Sequence, residues 1–261
     1  MSQPLLISIE GIISCGKSSL VEKCLVPFLK EKGYTVYLIK EPVKKWEESG
    51  LLARFYADPK RYAYHFQSKV CHDLIKEVEN IYKKWQKEFI CTPQPTTLSP
   101  MLEQNCLATL SPTAAAPHDV RLAEKVIFIS ERSVISNSIF ARMLAEDGTM
   151  DSLEYDHYLE CWEMWTRLLP IWPSLFIYLK PDLELCMQRL KERNREGENV
   201  PKEYQQKLSE HHDQVFGNGS VHVNGEHIKS YVLPTTINLL ENKPLREETC
   251  NQIYQQILSI L

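Results

Sequence analysis

The chain has 261 residues, 43% of them hydrophobic and 25% charged, with 30 basic side chains against 34 acidic ones and a formal net charge of −4. This composition predicts one globular domain spanning 1–261 and excludes a broad polycationic surface, so nucleic acid and membranes are not expected partners, while a local basic cleft for a small anion stays compatible. Eight cysteines, at positions 15, 24, 71, 91, 106, 161, 186 and 250, form no Cys-x-x-Cys pair. Scattered cysteines of this kind predict reduced thiols in an intracellular, cytoplasmic setting, and no apolar run approaches the roughly 18 residues of a membrane span. Only ten residues precede Gly11 and none is Arg, so no mitochondrial presequence is expected in this chain.

The first apolar run, Leu5 to Ile9, leads into "GIISCGKSS", and a helical pattern from Ser18 to Lys32 closes at Gly33. Strand, glycine loop and helix in that order make a phosphate-binding loop. Gly11, Ile12, Ile13, Ser14, Cys15 and Gly16 can turn backbone N–H groups toward phosphate oxygens. Lys17 supplies charge toward the β and γ phosphates, and Ser18, followed by Ser19, opens a helix whose N-terminus favours anions. The Ser18 hydroxyl is a candidate ligand for Mg²⁺ arriving with ATP.

A second run, Thr35 to Ile39, is followed by "EPVKKW", Glu41 to Trp46. A long helical pattern from Pro59 to about Glu88 sets Phe66, Gln67, Val70 and Leu74 on one face at about 100° per residue. An aromatic surface, an amide that both donates and accepts, and aliphatic walls suit a flat heterocycle. The segment Cys91 to Pro117, rich in Pro, Thr, Ser and Ala, lacks periodicity and is expected to be a flexible insertion.

The third run, Lys125 to Ser130, ends at Glu131-Arg132-Ser133. Helical patterns follow at Leu153 to Leu169 and, after a fourth run at Ser174 to Leu179, at Asp182 to about Arg195. Arg189 and Arg193 lie four apart on one face of the latter, with Arg195 near its end, a spacing able to bracket a polyphosphate. Asn224-Gly225 between alternating residues predicts a hairpin, and Thr236 to Leu240 reads as the fifth strand. The expected fold is therefore α/β, a five-stranded parallel sheet wrapped by helices, with ligands beyond the carboxyl ends of the strands.

Taken together, "GIISCGKSS", "EPVKKW", "LLARFYADPKRYAYHFQ", "ISERSVIS" and "CMQRLKERNREGENVPKEY" resemble the deoxynucleoside kinases that include deoxycytidine kinase, deoxyguanosine kinase and mitochondrial thymidine kinase. The resemblance implies a P-loop kinase fold with an arginine-rich lid formed by Arg189, Arg193 and Arg195, Mg²⁺ with ATP, a deoxynucleoside acceptor, and a homodimer. It implies that Glu41 accepts the proton of the nucleoside 5′-hydroxyl, that Arg132 orients that hydroxyl, and that Glu131 helps hold Mg²⁺. Glu131 is the competing candidate for the base. A carboxylate linked to a metal is the poorer proton acceptor, which favours Glu41. The resemblance further implies that Phe66 stacks on the base, that Gln67 pairs with it, and that Trp46 and Tyr56 line the rest, Tyr56 meeting the sugar 3′-oxygen and crowding out a 2′-hydroxyl. An acidic residue for the 3′-hydroxyl falls on Glu198, with Glu196 as the alternative because the chain is one residue short before Pro201.

Members that prefer deoxycytidine or purines carry an Arg and an Asp at the positions of Leu74 and Asn137. Val70 and Leu74 instead resemble the thymidine-accepting members, while Asn137 departs from both patterns. The sequence thus predicts a kinase biased toward thymidine and deoxycytidine. A nucleoside monophosphate kinase is the nearest enzymatic alternative, and a non-catalytic subunit on the same fold is the alternative from another class. A GTPase is disfavoured because "NKPL" lacks the aspartate of a guanine site, and missing cysteine pairs exclude the zinc-bearing thymidine kinases.

Overall fold

A computed structural model describes residues 4–90, 126–235 and 240–261. The expected insertion at 91–117 lies outside the described residues.

Strand β1 (Leu5–Glu10) feeds the glycine loop, and the chain then runs through α1 (Lys17–Leu20), a π-helical turn (Val21–Leu25) and α2 (Val26–Glu31). Pro27 accounts for the π turn. It has no N–H for the carbonyl one turn back, and a wider turn before it, with the Val26 N–H on Val21 O, absorbs the mismatch. β2 (Thr35–Ile39), α3 (Val43–Glu48), α4 (Leu51–Ala57) and the long α5 (Pro59–Ile90) follow. After β3 (Val126–Glu131) come α6 (Val134–Glu146), α7 (Ser152–Thr166), β4 (Leu175–Pro181), α8 (Leu183–Arg193) and α9 (Lys202–Phe216). The chain closes with β5 (Ser220–Val223), β6 (Glu226–Thr235) and α10 (Lys243–Leu258).

The sheet order is β2-β3-β1-β4-β6-β5, parallel except for β5 against β6. Every residue of β3 is buried, as are the last five of β1 and the first five of β4. Helices on both faces exclude water from these strands, which is why they read as continuous apolar runs.

The expectation of five strands needs correction, because the described residues form six. The parallel strand beside β4 is β6, not the run at 236–240, of which 236–239 lie outside the described residues. The hairpin does form: Asn224 and Gly225 turn at φ 53° and 84°, the positive values that a tight hairpin turn requires, and β5 becomes the sixth strand.

Beneath the glycine loop runs a buried polar chain. Ser130 donates to Ser8 Oγ (3.0 Å), Ser8 to Glu10 Oε1 (2.6 Å), and Ser136 to Glu10 Oε2. His212 adjoins it with Nε2 3.5 Å from Ser136 Oγ, while its Nδ1–H donates to Leu208 O (2.8 Å). Burial, reinforced by Arg132, pushes the His212 pKa well below its ordinary value. The folded chain thus keeps this ring neutral at a pH where the unfolded chain protonates it. Stability is therefore full above about pH 6.5 and falls below it, with a slope approaching about 1.4 kcal/mol per pH unit. A melting series from pH 7.5 to 5 should show this loss, and His212→Gln should flatten it.

Candidate active site

At the carboxyl ends of the central strands lies a cavity of about 790 Å³. The loop that floors one end owes its shape to Gly11, at φ 143°. A Cβ there would sit 2.7 Å from Leu179 O and 2.8 Å from Cys15 Sγ, so any side chain would push the loop off β4. Lys17 Nζ donates to Gly11 O (3.1 Å) and Ile12 O (2.8 Å). Gln205 of α9 clasps the loop from outside, its Nε2 donating to Ile13 O (2.7 Å) and its Oε1 accepting from Ile13 N (3.3 Å). Residues Ile13 to Ser19 line the cavity, whereas Gly11 and Ile12 are buried beneath it.

Glu41 and Arg132 enter from the ends of β2 and β3. The Arg132 Nε donates to Glu41 Oε2 (3.3 Å) and its Nη1 to Gly11 O (2.9 Å), so one planar guanidinium ties the carboxylate to the loop. Phe140 lies 5.0 Å beneath it. Burial opposes the Arg132 charge, but Glu41 and further acidic neighbours outweigh burial and raise its pKa. The backbone at Arg132 adopts φ 68°, uncommon for a non-glycine residue. This tight corner is held by the Arg132 N–H on Ile9 O (3.0 Å) and by Ser133, whose Oγ accepts from Ile135 N (3.2 Å) to cap α6. Strain at such a corner costs about 1–3 kcal/mol and persists where surrounding contacts over-determine it.

Glu131 accepts from the Ser18 hydroxyl. Burial first, then the Glu41 charge, raises the Glu131 pKa against the opposing influence of Ser18, Lys17 and Arg132. Two hard oxygen groups beside the loop lysine make a donor set that fits Mg²⁺.

The far end of the cavity is aromatic and aliphatic. Phe66 stacks on Phe55 with centroids 4.8 Å apart and meets the Trp46 ring edge-on at 5.7 Å. Trp46 is itself fixed by its Nε1–H on Asp73 Oδ2 (2.8 Å). Burial works against the Asp73 charge, yet hydrogen bonds from Lys69, Trp46 and His72 prevail and hold its carboxyl below the usual range. Gln67, Val70, Leu74 and Asn137 complete the wall, and Tyr56 closes the side toward Glu198. Burial, followed by Tyr204 and Glu198, keeps the Tyr56 hydroxyl protonated well above its ordinary pKa.

Arg189, Arg193 and Arg195 line the same cavity. Arg189 Nη1 donates to Cys15 O (3.2 Å), Arg193 pairs with Glu198, and Arg195 pairs with Glu47 and Glu198. Glu198 is 5% exposed while Glu196 is exposed, so Glu198 is the carboxylate within the cavity. Gly197, at φ 73°, lets the turn after α8 rest on α4, where a Cβ would meet Ala53 Cβ at 2.6 Å.

The three residue groups singled out in the sequence, loop, base-sized pocket and arginine cluster, thus share one enclosure. Asp73, Gln205 and Tyr158, whose hydroxyl donates to Asn137 Oδ1 (2.5 Å), were missed. Each acts through a partner distant in sequence, and no spacing announces such a pair.

A nucleotide loop joined by a carboxylate–arginine pair to a pocket with aromatic and aliphatic walls defines a P-loop kinase acting on a small organic acceptor. Comparison with known proteins narrows the class: residues 7–259 match the family described as Deoxynucleoside kinase, and the chain belongs to that family. It is accordingly an enzyme that phosphorylates a hydroxyl of deoxynucleosides. A probable deoxycytidine kinase of fowlpox virus is 30% identical over 218 residues, covering 83% of this chain and 73% of its own length. Deoxycytidine kinase 2 of Gallus gallus is 29% identical over 248 residues (85% and 78%), and mitochondrial thymidine kinase 2 of Homo sapiens 27% over 219 residues (82% and 65%). Other relatives are named as purine kinases, among them a mitochondrial deoxyguanosine kinase of Xenopus laevis at 25% identity.

Proposed function

We propose that this enzyme transfers the γ-phosphoryl group of ATP to the 5′-hydroxyl of pyrimidine deoxynucleosides, thymidine and deoxycytidine, with Glu41 as general base. The observation that carries the reading is the Arg132 guanidinium, which bridges Glu41 and Gly11 O at the junction of loop and pocket. An acceptor hydroxyl at that junction lies within reach of a base and a cation, the two things an in-line phosphoryl transfer asks of the protein.

Glu41 takes the hydroxyl proton as the oxygen attacks, and Arg132 meets the negative charge that develops on the transferred group. Lys17 and the loop amides hold the β and γ phosphates, and Arg189, Arg193 and Arg195 close over them from α8, exchanging their present carboxylate and carbonyl partners for phosphate oxygens. Ser18 and Glu131 would hold Mg²⁺, which when bound with ATP would supply charge to neutralise the phosphates. Phe66 stacks on the base and Gln67 meets its edge, Trp46 lining the pocket beside them. Tyr56 and Glu198 receive the 3′-hydroxyl, and the Tyr56 ring leaves no room for a 2′-hydroxyl.

The bias toward pyrimidines is supported by Val70 and Leu74, 7% and 3% exposed, which form an aliphatic wall of the kind seen in the thymidine-accepting members that the sequence resembles. Self-association as a homodimer is supported by Leu153 and Met164 on α7 and by Leu168 beyond its end, apolar side chains 80%, 56% and 69% exposed.

A kcat/KM comparison of thymidine, deoxycytidine, deoxyadenosine and deoxyguanosine with Mg-ATP tests this reading. Both pyrimidines should exceed both purines. A preference for either purine would contradict the pocket assignment.

A further inference from the structure

We infer that Asn137 is a positioning residue: it locks the polarity of the Gln67 amide, and the lock makes the enzyme discriminate between bases that carry an amino group and bases that carry a carbonyl at the same ring position. The inference rests on the reading that Gln67 faces the edge of a nucleobase.

The amide nitrogen of Asn137 lies 3.2 Å from Gln67 O and 2.8 Å from Gln67 Oε1. A backbone carbonyl can only accept, so the Asn137 atom facing it must be the NH₂ group. The Gln67 side-chain atom facing that same NH₂ must then be its oxygen. On the other side, the Tyr158 hydroxyl donates to Asn137 Oδ1 (2.5 Å), which holds the asparagine in the same sense. All three side chains are buried, Gln67 and Asn137 2% exposed and Tyr158 fully buried, so water competes little for the bonds among them. Gln67 lines the cavity, and its Nε2 donates to no described residue. The order of donor and acceptor along the amide is therefore set by the protein before any base arrives.

That order matters because paired bases present opposite patterns. Cytosine shows a donor at its 4-amino group next to an acceptor at N3; uracil and thymine show an acceptor at O4 next to a donor at N3–H. Adenine and hypoxanthine differ in the same way at position 6. A glutamine free to turn over serves both members of a pair equally, whereas a locked one favours one member over the other. Turning it here breaks the bond to Asn137 and sets two NH₂ groups against each other, a loss of about tenfold or more in kcat/KM for the mismatched base.

The test compares deoxycytidine with deoxyuridine, which differ at that edge and carry no 5-methyl group, and deoxyadenosine with deoxyinosine as the purine pair, all with Mg-ATP. In the native enzyme the members of the accepted pair should differ about tenfold or more in kcat/KM. In Asn137→Ala they should come within about threefold, because Gln67 then turns freely. Tyr158→Phe, which removes one hydroxyl and keeps the ring, should move the ratio in the same direction. Both nucleosides are assayed on one preparation, so the ratio does not depend on the fraction folded. A native ratio near one, or a ratio unchanged in both variants, would overturn the lock. Turnover confined to the purine pair would overturn the pyrimidine reading alone, the ratio within that pair still deciding the lock. No turnover with any of the four would overturn both.

Discussion

Glu41→Gln should lower kcat by about 10² or more while leaving nucleoside binding nearly intact, the scale expected when a general base is removed without changing the shape of its site. The amide keeps the volume of the carboxylate and can still accept the Arg132 Nε–H, now at 3.3 Å, so the guanidinium stays in place over Gly11 O. What is lost is the group proposed to take the proton from the attacking oxygen. Steady-state kcat with thymidine and saturating Mg-ATP, alongside nucleoside affinity by calorimetry, separates the two effects. A parallel fall in affinity would mean that Glu41 binds the nucleoside more than it serves the reaction.

Arg132→Lys should be still more damaging, about 10²–10³ in kcat, the range found when one preorganised group that stabilises transition-state charge is removed. Charge alone does not replace the guanidinium. Its Nε and Nη1 reach Glu41 and Gly11 O at once, and Phe140 packs 5.0 Å away beneath its plane. A lysine ammonium is a compact point on a flexible stem and cannot hold both partners in that geometry. The guanidinium is also buried, with Arg132 6% exposed, so a misplaced ammonium there would carry a desolvation penalty as well. The signature to look for is a loss in kcat larger than the change in KM for the nucleoside. A variant with kcat within about tenfold of the native enzyme would contradict the bridging role.

Much of the fold was legible because parallel strands buried on both faces have no polar side to show. Ile7 to Ile9, Ile127 to Ile129 and Leu175 to Leu179 each announce themselves as unbroken apolar runs apart from Ser8, and that serine belongs to the buried polar chain. The strand beyond β4 was harder. β6 contains His227, Lys229 and Pro234 and is only partly covered, so its alternation read as half of a hairpin. That reading was correct as far as it went; what periodicity could not show is that the same strand also pairs with β4 in parallel.

The site divides in a similar way. Residues whose chemistry depends on local sequence, Lys17 and Ser18 in the loop and Glu131 and Arg132 at a strand end, carry their own signature. Asn137 was singled out as a departure from two patterns, yet its partners Gln67 and Tyr158 come from different helices, and the Tyr158 contact spans 21 residues. Asp73 would pass for a solvated helix carboxylate until Trp46 is seen to donate to it. The lid arginines were expected over the loop; Arg189 touches it at Cys15 O, while Arg193 and Arg195 engage Glu198 and Glu47.

The account turns on which carboxylate takes the proton, Glu41 beside Arg132 or Glu131 beside Ser18. Single-turnover phosphorylation of thymidine by Glu41→Gln and by Glu131→Gln, each at rising Mg²⁺ concentration, addresses that choice. The structure predicts a chemical step that stays slow in Glu41→Gln at every Mg²⁺ concentration, and a defect in Glu131→Gln that added Mg²⁺ partly restores. A near-normal rate in Glu41→Gln, with Glu131→Gln inert at all Mg²⁺ concentrations, would contradict it and move the base to Glu131.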